Sequence, residues 1–558
     1  MTLATSFIIS TAPPGAMTAP ALTAASLGIP ERFNAAVHFV DRNVAEGRGD
    51  RVAIECGDAR VTYAEVLRDV NRTGNALRRQ LDVRPEERVL LLLHDGPAFA
   101  SCFFGAIKIG AVPVPLNTLW KPADYRHVIQ DSRAAVLIVS AELLAQIESI
   151  PPDDRRSLRR VIVAGPAASA TSHVPFDAFI ADESAQLDAE PTGRDAPAFW
   201  LYSSGSTGAP KGCVHLQHDM VMCAELFGKG ILGIESNDRC FSVAKLFFAY
   251  GLGNALYFPF SVGATAILWP GAPTPQNVYA VIERHRPTLF SSVPTGYGMM
   301  LAHAKGTGVP SLRPGTPVLD FDLSSVRLCV SAGEALPPAL YERFKQRFGV
   351  DIIDGIGSTE ALHMFISNRP GAIRPGSSGQ IVGGYEARLL DDAGQPVPPA
   401  EIGNLWIKGD SVCASYWNQH EKTKDTIQGH WIRTGDKYTQ DEDGYFWYAG
   451  RSDDMLKVGG LWVSPVEVEN ALAAHAAVLE SGVVGHEDHD GLVKPMAFVV
   501  VRPGVTATPE LARELQQFVR ERMAEYKRPR WVEFLPELPK TATGKIQRFR
   551  LRALADRS

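Results

Sequence analysis

The stretch YSSGSTGAPKG, residues 202–212, is too small and polar to pack a hydrophobic core. Four serines or threonines and three glycines stand within eleven residues, which leaves backbone N–H groups and hydroxyls without bulky side chains around them. A phosphate chain needs such an environment. Composition alone leaves a flexible linker open as well. However, the apolar run 198–201 precedes the stretch and Val214 follows it, so a loop between ordered elements is predicted.

This loop does not match the phosphate-binding consensus G-x-x-x-x-G-K-[ST]. Ala209 and Pro210 separate Gly208 from Lys211, and Gly212 stands where the consensus has Ser or Thr. The sequence therefore does not predict a P-loop nucleoside triphosphatase.

Length and composition bound the class of protein. With 558 residues the chain is long enough for two or more domains, and 45% hydrophobic with 21% charged residues is the balance of a soluble protein with a substantial core. The net charge of −6 gives no reason to expect a nucleic-acid partner. Seven dispersed cysteines without a C-x-x-C pair indicate reduced thiols in the cytoplasm, not disulfides or a zinc site.

Residues 1–30 carry no charged side chain and are rich in Ala, Thr, Ser and Pro. A secretory signal needs a basic first region and a mitochondrial presequence needs arginines, so neither is predicted. We predict a disordered extension over 1–30. No apolar run reaches the length of a transmembrane helix, so no membrane partner is expected.

The middle of the chain alternates strand-like and helix-like segments. Apolar runs at 89–93 and 326–330 predict buried strands, and the segments 97–110 and 337–348 that follow them predict helices. Near-continuous apolar strands separated by helices are typical of parallel sheets in an α/β protein. The turns after such strands are candidate binding positions, because open α/β sheets bind ligands beyond the carboxyl ends of their strands.

Two of these turns, SAGEA at 331–335 and GIGSTE at 355–360, combine small residues with a carboxylate. The character of the chain changes after residue 452, where short strands alternate with helices, one of them capped by Thr508 and running to about residue 526. These features predict a large domain over 31–452 and a small α+β module over 453–558.

Eight motifs follow one another along almost the whole chain: TYAE at 62–65, GAVPVPLN at 110–117, YSSGSTGAPKG at 202–212, GIGSTE at 355–360, EIGNLWIKG at 401–409, WIRTGD at 431–436, GRSDDMLKVGG at 450–460 and PKTATGKIQR at 539–548. Together they resemble the adenylate-forming superfamily of acyl-CoA synthetases, luciferases and nonribosomal-peptide adenylation domains. KLFFAYGLGN at 245–254 and DGIGSTE at 354–360 resemble the benzoate-CoA ligase branch more narrowly. Ile356 matches that branch, whereas most relatives have an aromatic residue there.

The resemblance implies a large multi-sheet N-terminal α/β domain and a small mobile α+β C-terminal domain, with a hinge at Asp453. It also implies a ligase that joins AMP from ATP to an aryl carboxylic acid, releases pyrophosphate, and passes the acyl group to coenzyme A. Negative charge gathers at the α-phosphate during this transfer, so cations and N–H donors are needed there. ATP, Mg²⁺ and coenzyme A are the implied cofactors. An enzyme that loads an aryl acid onto a carrier protein and a non-catalytic sensor are the alternatives.

The resemblance also implies roles for individual residues. Lys545 would bridge the carboxylate and the α-phosphate, and Glu360 with Thr207 would hold Mg²⁺, which prefers hard oxygen ligands. The implied phosphate cradle is Ser203, Ser204, Gly205, Ser206, Thr207, Gly208 and Lys211. The implied nucleotide- and coenzyme-binding residues are Gly333, Glu334, Ala335, Asp354, Gly355, Ile356, Thr359, Asp436, Arg451, Lys457, Gly459 and Gly460. Taken in isolation, Asp436 and Arg451 would instead be a surface ion pair.

The aryl acid is expected among flat apolar walls with one or two polar groups. The predicted lining is Phe247, Phe248, Ala249, Tyr250, Gly333, Ile356, Ala361 and His363. Ala361 stands where benzoate-branch relatives often have a larger residue, which predicts extra room beside the ring. His363 is either a ligand or a packed core histidine. Benzoate, hydroxybenzoate, aminobenzoate and a cyclohexane carboxylate are all left open.

Three further features are left without a firm role. The basic residues Arg520, Arg522, Lys527, Arg528 and Arg530 either meet coenzyme A phosphates or form a solvated face. The run HEDHD at 486–490 is predicted to be an exposed turn and not a metal site. A homodimer is left open.

Overall fold

The computed structural model describes residues 22–166, 172–203, 210–303, 321–451, 454–458, 461–488, 492–540 and 546–556. Over these ranges, strands and helices alternate along the chain and the strands form several separate sheets, which confirms the predicted α/β fold class. The helices of the large domain are α1 (Arg42–Ala45), α2 (Tyr63–Leu81), α3 (Pro97–Lys108), α4 (Pro122–Ser132), α5 (Leu144–Glu148), α6 (Phe176–Ala181), α7 (Asp219–Cys223), α8 (Ala249–Leu252), α9 (Phe258–Val262), α10 (Pro275–His285), α11 (Pro294–His303), α12 (Pro338–Phe348) and α13 (His420–Thr426).

The largest sheet has nine strands, and its central strands are parallel. In pairing order they are β16 (Gln380–Ile381), β15 (Met364–Ser367), β14 (Ile352–Gly357), β13 (Leu328–Ser331), β12 (Leu289–Ser292), β10 (Arg239–Ser242), β11 (Thr265–Ile267), β1 (Val52–Cys56) and β2 (Ala59–Thr62). Successive residues of a strand face opposite sides of its sheet. Cys329 and Val330 belong to different hydrophobic clusters, so both faces of the sheet are covered.

A second sheet has five parallel strands, in the order β4 (Val112–Pro115), β3 (Arg88–Leu92), β5 (Val136–Ser140), β6 (Arg160–Ala164) and β7 (Val174–Pro175). The apolar run that predicted a strand at 89–93 forms β3, whose last four residues are fully buried. α3 follows it where a helix was predicted, with Pro97 in its first turn. The strand–helix alternation in the sequence therefore corresponds to parallel pairing here.

Two antiparallel sheets complete the large domain. One contains β17 (Glu386–Leu390), β18 (Gly403–Lys408), β21 (Trp431–Gln440) and β20 (Ile427–Gln428), with β22 (Phe446–Arg451) pairing on β21. The other contains β19 (Ser415–Tyr416), β9 (Lys211–Leu216) and β8 (Pro197–Ser203). These two sheets carry Ser203, Lys211, Asp436 and Arg451, four of the residues that the sequence assigns to ATP.

In the described part of the C-terminal module there are two small sheets and three α-helices. Its elements are β23 (Leu456–Val458), β24 (Leu461–Val463), α14 (Pro465–Ala473), β25 (Val478–Glu487), β26 (Val493–Val501), α15 (Pro509–Arg520), β27 (Trp531–Phe534) and α16 (Arg548–Ala555). The Thr508 side chain accepts a hydrogen bond from Leu511 N, so it caps α15 as predicted, but the helix ends at Arg520 and not near residue 526. The proposed hinge, Asp453, lies outside the described residues, so the domain boundary stays a prediction.

The disordered extension predicted over 1–30 is too long at its C-terminal end. Ala24 and Ile29 are buried in the main hydrophobic cluster, and Leu22 N donates to Gly384 O at 3.0 Å. This uncharged segment packs because Ala, Leu and Ile can be buried at little desolvation cost. Residues 1–21 lie outside the described part of the chain.

The cysteines and the helices bear on two expectations from the sequence, reduced thiols and no transmembrane helix. All seven cysteines are free thiols, and six of them are buried, in agreement with the absence of predicted disulfides. Among the helices in the described ranges, none is both long and apolar enough to cross a membrane.

Candidate active site

The phosphate-binding loop predicted at 202–212 starts on β8 and ends on β9, two strands that pair with each other. Ser203, the last residue of β8, pairs with Lys211, the first residue of β9. The cradle residues between them, Ser204, Gly205, Ser206, Thr207 and Gly208, lie outside the described residues. The two ends of the predicted cradle are therefore fixed side by side by strand pairing.

The predicted metal ligand Glu360 lies against this pair of strands. It belongs to the turn that follows β14, and its Oε1 atom accepts hydrogen bonds from the Tyr416 hydroxyl at 2.7 Å and from Ser203 Oγ at 3.4 Å. Its Oε2 atom receives no hydrogen bond from any side chain in the described ranges. Mg²⁺ in nucleotide sites binds through one or two carboxylates together with phosphates, so a half-buried carboxylate with one oxygen not bonded by the described side chains fits this ion.

Two residues that the sequence analysis missed hold this turn. Tyr416, on β19, contacts Glu360, and the Nζ atom of Lys211 lies 4.4 Å from the centroid of its ring. The fully buried imidazole of His215 binds the Thr359 carbonyl through Nε2 at 2.8 Å and the Asp219 carboxylate through Nδ1 at 2.8 Å. Both residues lie just beyond quoted motifs, so extending those motifs by a few residues would have included them.

Asp436 and Arg451 come together as neighbours on paired strands. They are opposite each other on β21 and β22, and Arg451 Nη1 lies 3.0 Å from Asp436 Oδ1. Asp436 chiefly, and Glu360 more weakly, raise the pKa of the Arg451 guanidinium. The two predicted nucleotide residues and the predicted metal ligand thus share one electrostatic environment. Because Asp436 is buried, this pair differs from an ordinary surface ion pair.

The predicted nucleotide-binding residues of the turns at 331–335 and 355–360 lie at the carboxyl ends of β13 and β14. Gly333 has φ +91°, a backbone conformation that favours glycine, and Glu334 accepts a hydrogen bond from Thr295 Oγ1 at 3.1 Å. Asp354 is buried, accepts from Leu336 N at 3.4 Å, and burial raises its pKa to about 8. The structure therefore assembles the two turns at the sheet edge where ligands bind in open α/β folds.

Packing against the neighbouring strand requires glycine at position 355, which the motif alone did not indicate. A side chain there would place its Cβ 2.5 Å from the carbonyl oxygen of Ile366 on the paired strand β15. This close approach of β15 is sufficient to require glycine. Ile356, the next residue, remains partly exposed and packs against the main hydrophobic cluster.

The predicted acyl wall is an aromatic group on and before α8. The Phe247 and Phe248 rings lie 4.4 Å apart, Ala249 begins the helix, and Tyr250 is anchored by its hydroxyl, which donates to Val330 O at 2.9 Å and Ser292 O at 3.1 Å. The His363 ring stacks against Tyr250 with centroids 5.8 Å apart. These residues therefore form one continuous wall.

His363 and Ala361 are almost fully buried, as are Phe247 and Ala249 of this wall. Neither ring nitrogen of His363 has a hydrogen-bond partner within the described ranges, and burial lowers its pKa to about 3, so the ring is neutral. Ala361 has no exposed surface, and its carbonyl accepts from Ser411 Oγ at 2.8 Å. Its control of room beside the aryl ring stays a prediction.

The C-terminal residues assigned to catalysis are mostly outside the described structure. Lys545, Asp453, Gly459 and Gly460 lie outside the described residues, as does the side chain of Lys457. The base of the lysine loop is described: Lys540 and Ile546 form an antiparallel bridge, and Gln547 N donates to Pro539 O at 2.8 Å. This bridge holds Lys540 and Ile546 next to each other.

The basic cluster near α15 is largely paired. Glu525 forms ion pairs with Arg520 at 3.0 Å, Arg528 at 2.9 Å and Arg530 at 3.9 Å. Lys527 pairs with Glu467 at 2.7 Å. These pairs favour the solvated basic face over the coenzyme A site that the sequence left open. At the predicted turn 486–490, strand β25 ends at Glu487 and Asp488 N donates to Leu492 O.

Comparison with known families agrees with this geometry. The sequence matches the family of AMP-binding enzymes over residues 41–417 and the C-terminal domain of AMP-binding enzymes over residues 467–545. The chain therefore belongs to the AMP-binding enzyme family, which confirms the predicted superfamily.

Among individual relatives, several CoA ligases of aryl acids are similar to this chain. The chain is 48% identical to a benzoate–CoA ligase of Thauera aromatica, over 95% of this chain and 98% of the relative, and 44% identical to a 4-hydroxybenzoate–CoA/benzoate–CoA ligase of Rhodopseudomonas palustris, over 94% of each. Among solved structures, it resembles the anthranilate CoA ligase AuaEII in complex with anthranoyl-AMP, with a TM-score of 0.88 and 46% identity over 95% of this chain and 98% of that one. It also resembles a benzoate CoA ligase from Burkholderia xenovorans LB400, with a TM-score of 0.83 and 46% identity over 93% of this chain and 100% of that one.

Proposed function

We propose that this chain is an ATP-dependent ligase that activates benzoate or a substituted benzoate as its acyl-adenylate, releases pyrophosphate, and transfers the acyl group to coenzyme A. The similarity to CoA ligases of aryl acids extends over 93–95% of the chain, including the C-terminal module. Loading of a separate carrier protein has no comparable support.

The observation that carries the proposal is the convergence of Lys211, Glu360 and the Asp436–Arg451 pair beside an aromatic wall. Lys211 would contact the phosphates beside the β8–β9 strand pair, and Asp436 would accept hydrogen bonds from the ribose hydroxyls. Glu360 would hold Mg²⁺, which supplies positive charge to the phosphate chain. The carboxylate oxygen of the acid would then attack the α-phosphorus while pyrophosphate leaves, with Lys545 offsetting the developing charge.

The acid would lie with its ring against Tyr250. This tyrosine cannot swing away, because its hydroxyl is held by two backbone carbonyls from neighbouring strands. His363 is neutral, and the uncharged rings of Phe227 and Phe258 surround it. Burial of a flat apolar ring there is therefore favourable, because it removes apolar surface from water. A long alkyl chain needs a tunnel, and a wall of packed rings does not favour one.

Turnover measurements on the full-length protein test this function. With ATP, Mg²⁺, coenzyme A and either aryl acids or octanoate, we expect acyl-CoA, AMP and pyrophosphate in equal amounts, with the highest kcat/KM for an aryl acid. A kcat/KM for octanoate above that of every aryl acid would overturn the aryl assignment. Acyl-adenylate that accumulates without consuming coenzyme A would favour a carrier-protein acceptor, and binding without turnover would favour a sensor.

A cytoplasmic location is also proposed, because six buried free thiols are typical of a reducing compartment. The oligomeric state, for which a homodimer was left open, is checked by light scattering on the purified protein.

A further inference from the structure

Tyr416 contacts two groups of opposite charge at the candidate ATP site. Its hydroxyl donates to Glu360 Oε1 at 2.7 Å, and the Lys211 ammonium lies 4.4 Å from the centroid of its ring. The residue is itself almost fully buried, with 4% of its surface exposed. No motif used in the sequence analysis included it.

The position of Tyr416 is fixed from several directions. Its strand β19 pairs with β9, where Tyr416 stands opposite Cys213. Its backbone N–H donates to Thr423 Oγ1 at 3.0 Å. A rigid neutral donor is therefore aimed at the carboxylate.

A free lysine and a free glutamate in one phosphate-binding site would attract each other. A direct ion pair between Lys211 and Glu360 would neutralise the positive charge that the phosphates need and occupy the carboxylate oxygen that Mg²⁺ needs. Tyr416 binds the carboxylate with a neutral hydroxyl and the ammonium with its π face, so neither charge is neutralised. Hydrogen bonding of one carboxylate oxygen also sets the direction of the other.

On these grounds, and resting on the proposed function, we propose that Tyr416 is a positioning residue that orients Glu360 toward Mg²⁺·ATP and holds Lys211 apart from it. The tyrosine touches no substrate in this role. Its effect should therefore be seen in how strongly Mg²⁺ tightens the binding of ATP, and not only in turnover.

The test is calorimetric titration of the full-length protein with ATP, once with excess Mg²⁺ and once with EDTA. Tyr416→Phe removes the hydroxyl and keeps the ring beneath Lys211. We expect affinity for Mg²⁺·ATP to fall by about 10- to 100-fold, as is typical when a partner of a metal ligand is removed. Affinity for metal-free ATP should change less than about twofold, because the cation–π contact is retained.

Tyr341→Phe is a matched control. Tyr341 also has 4% of its surface exposed, and its hydroxyl donates to a carboxylate, Asp351, at the same distance of 2.7 Å. Asp351 precedes β14, whereas Glu360 follows it, so this bond lies at the opposite end of the strand. The control should lose the same kind of hydrogen bond and keep the Mg²⁺ dependence of ATP binding.

Tyr416→Leu provides a second variant, which removes the ring face as well. It should weaken metal-free ATP by a further factor of about two to five. An unchanged Mg²⁺ dependence in Tyr416→Phe, or equal losses in Tyr416→Phe and Tyr341→Phe, would overturn the inference. If the unaltered protein binds ATP no more tightly with Mg²⁺ than with EDTA, the proposed function fails and this inference fails with it.

Discussion

Replacing Gly253 by alanine should displace His363 and thereby lower the efficiency with which aryl acids are used. A Cβ atom at position 253 would lie 2.5 Å from Cδ2 and 2.9 Å from Nε2 of His363, and 2.9 Å from the Tyr257 hydroxyl. Carbon atoms in contact prefer separations of about 3.5–4.0 Å, so the histidine ring has to move by roughly 1 Å.

The direction of this movement is limited by the packing around His363. The rings of Phe227 and Phe258 lie 4.9 Å and 4.6 Å from it, whereas Tyr250 is farther away at 5.8 Å. The ring should therefore shift toward Tyr250, into the space proposed for the acid. Overpacking typically costs about 1–3 kcal/mol, and 1.4 kcal/mol corresponds to about tenfold, so kcat/KM should fall by roughly 5- to 150-fold.

The assay is steady-state kinetics with benzoate and with 4-hydroxybenzoate, while KM for ATP is measured in parallel. Gly298→Ala is a suitable control, because Gly298 lies within α11 and an added Cβ would meet no atom within 4 Å. We expect Gly253→Ala to lower kcat/KM for both acids and to leave KM for ATP unchanged, and Gly298→Ala to change neither. Unaltered kcat/KM for every aryl acid in Gly253→Ala would show that His363 does not border the acid site.

The remaining predictions concern the two half-reactions, the buried carboxylate and the pocket volume. Lys545→Ala should lower ATP–pyrophosphate exchange by at least about a hundredfold and still transfer acyl groups from supplied acyl-adenylate to coenzyme A. Asp453→Pro, which fixes φ at about −65°, should keep adenylation and lose transfer to coenzyme A. Proportional loss of both steps in both variants would contradict the proposal that the small domain moves between the two steps. Burial raises the pKa of Asp354 from 3.8 to about 8, so between these pH values the folded state keeps this carboxyl protonated while the unfolded state loses the proton, and stability falls as pH rises. Asparagine does not titrate, so the Tm of Asp354→Asn relative to the unaltered protein should increase from about pH 4 to pH 8. A difference in Tm that is constant with pH, measured by differential scanning fluorimetry, would refute this. Ala361→Met should lower stability by about 1–3 kcal/mol because the site is fully buried, and should reduce kcat/KM for substituted benzoates more than for benzoate; equal losses would remove Ala361 from the pocket.

Local sequence patterns predicted those parts of the fold that depend on neighbouring residues. The TYAE motif is an example: the Thr62 side chain accepts from Glu65 N, the Glu65 carboxylate accepts from Thr62 N, and α2 begins there. The run at 89–93 likewise predicted β3, because a buried strand needs apolar residues on both faces. In both cases the deciding interactions lie within a few residues along the chain or depend on burial alone.

Contacts between distant segments could not be predicted in the same way. Tyr416 and Glu360 are 56 positions apart, and His215 and Thr359 are 144 apart. No local periodicity links them, because strand pairing of β9 with β19 and the turn after β14 bring them together. The motifs therefore indicated which residues belong to the site, and the fold was needed to show how each one is held.

The failure over residues 22–30 has a related cause. An uncharged segment without periodicity is compatible with disorder and with packing, and the outcome depends on whether the rest of the chain offers an apolar surface. Here it does, since Ala24 and Ile29 join a cluster built from the large domain. Gly355 illustrates the converse case, in which a motif residue was assigned to a ligand although strand packing alone requires it.

The distribution of hydrophobic contacts bears on how one site can serve two successive reactions. The clusters of the C-terminal module contain only residues from 456 onward, and the clusters of the large domain contain none of these. Within the described ranges, a reorientation of the module would therefore break no hydrophobic cluster shared with the large domain. Lys211 and Asp436 lie on sheets of the large domain and Glu360 lies in the turn after β14, whereas Lys545 and residues 459–460 fall within the predicted C-terminal module. If the module exchanges these groups at the α-phosphate, as we predict, the ATP-binding residues would keep their positions through both steps, and the Lys545→Ala and Asp453→Pro variants test this prediction.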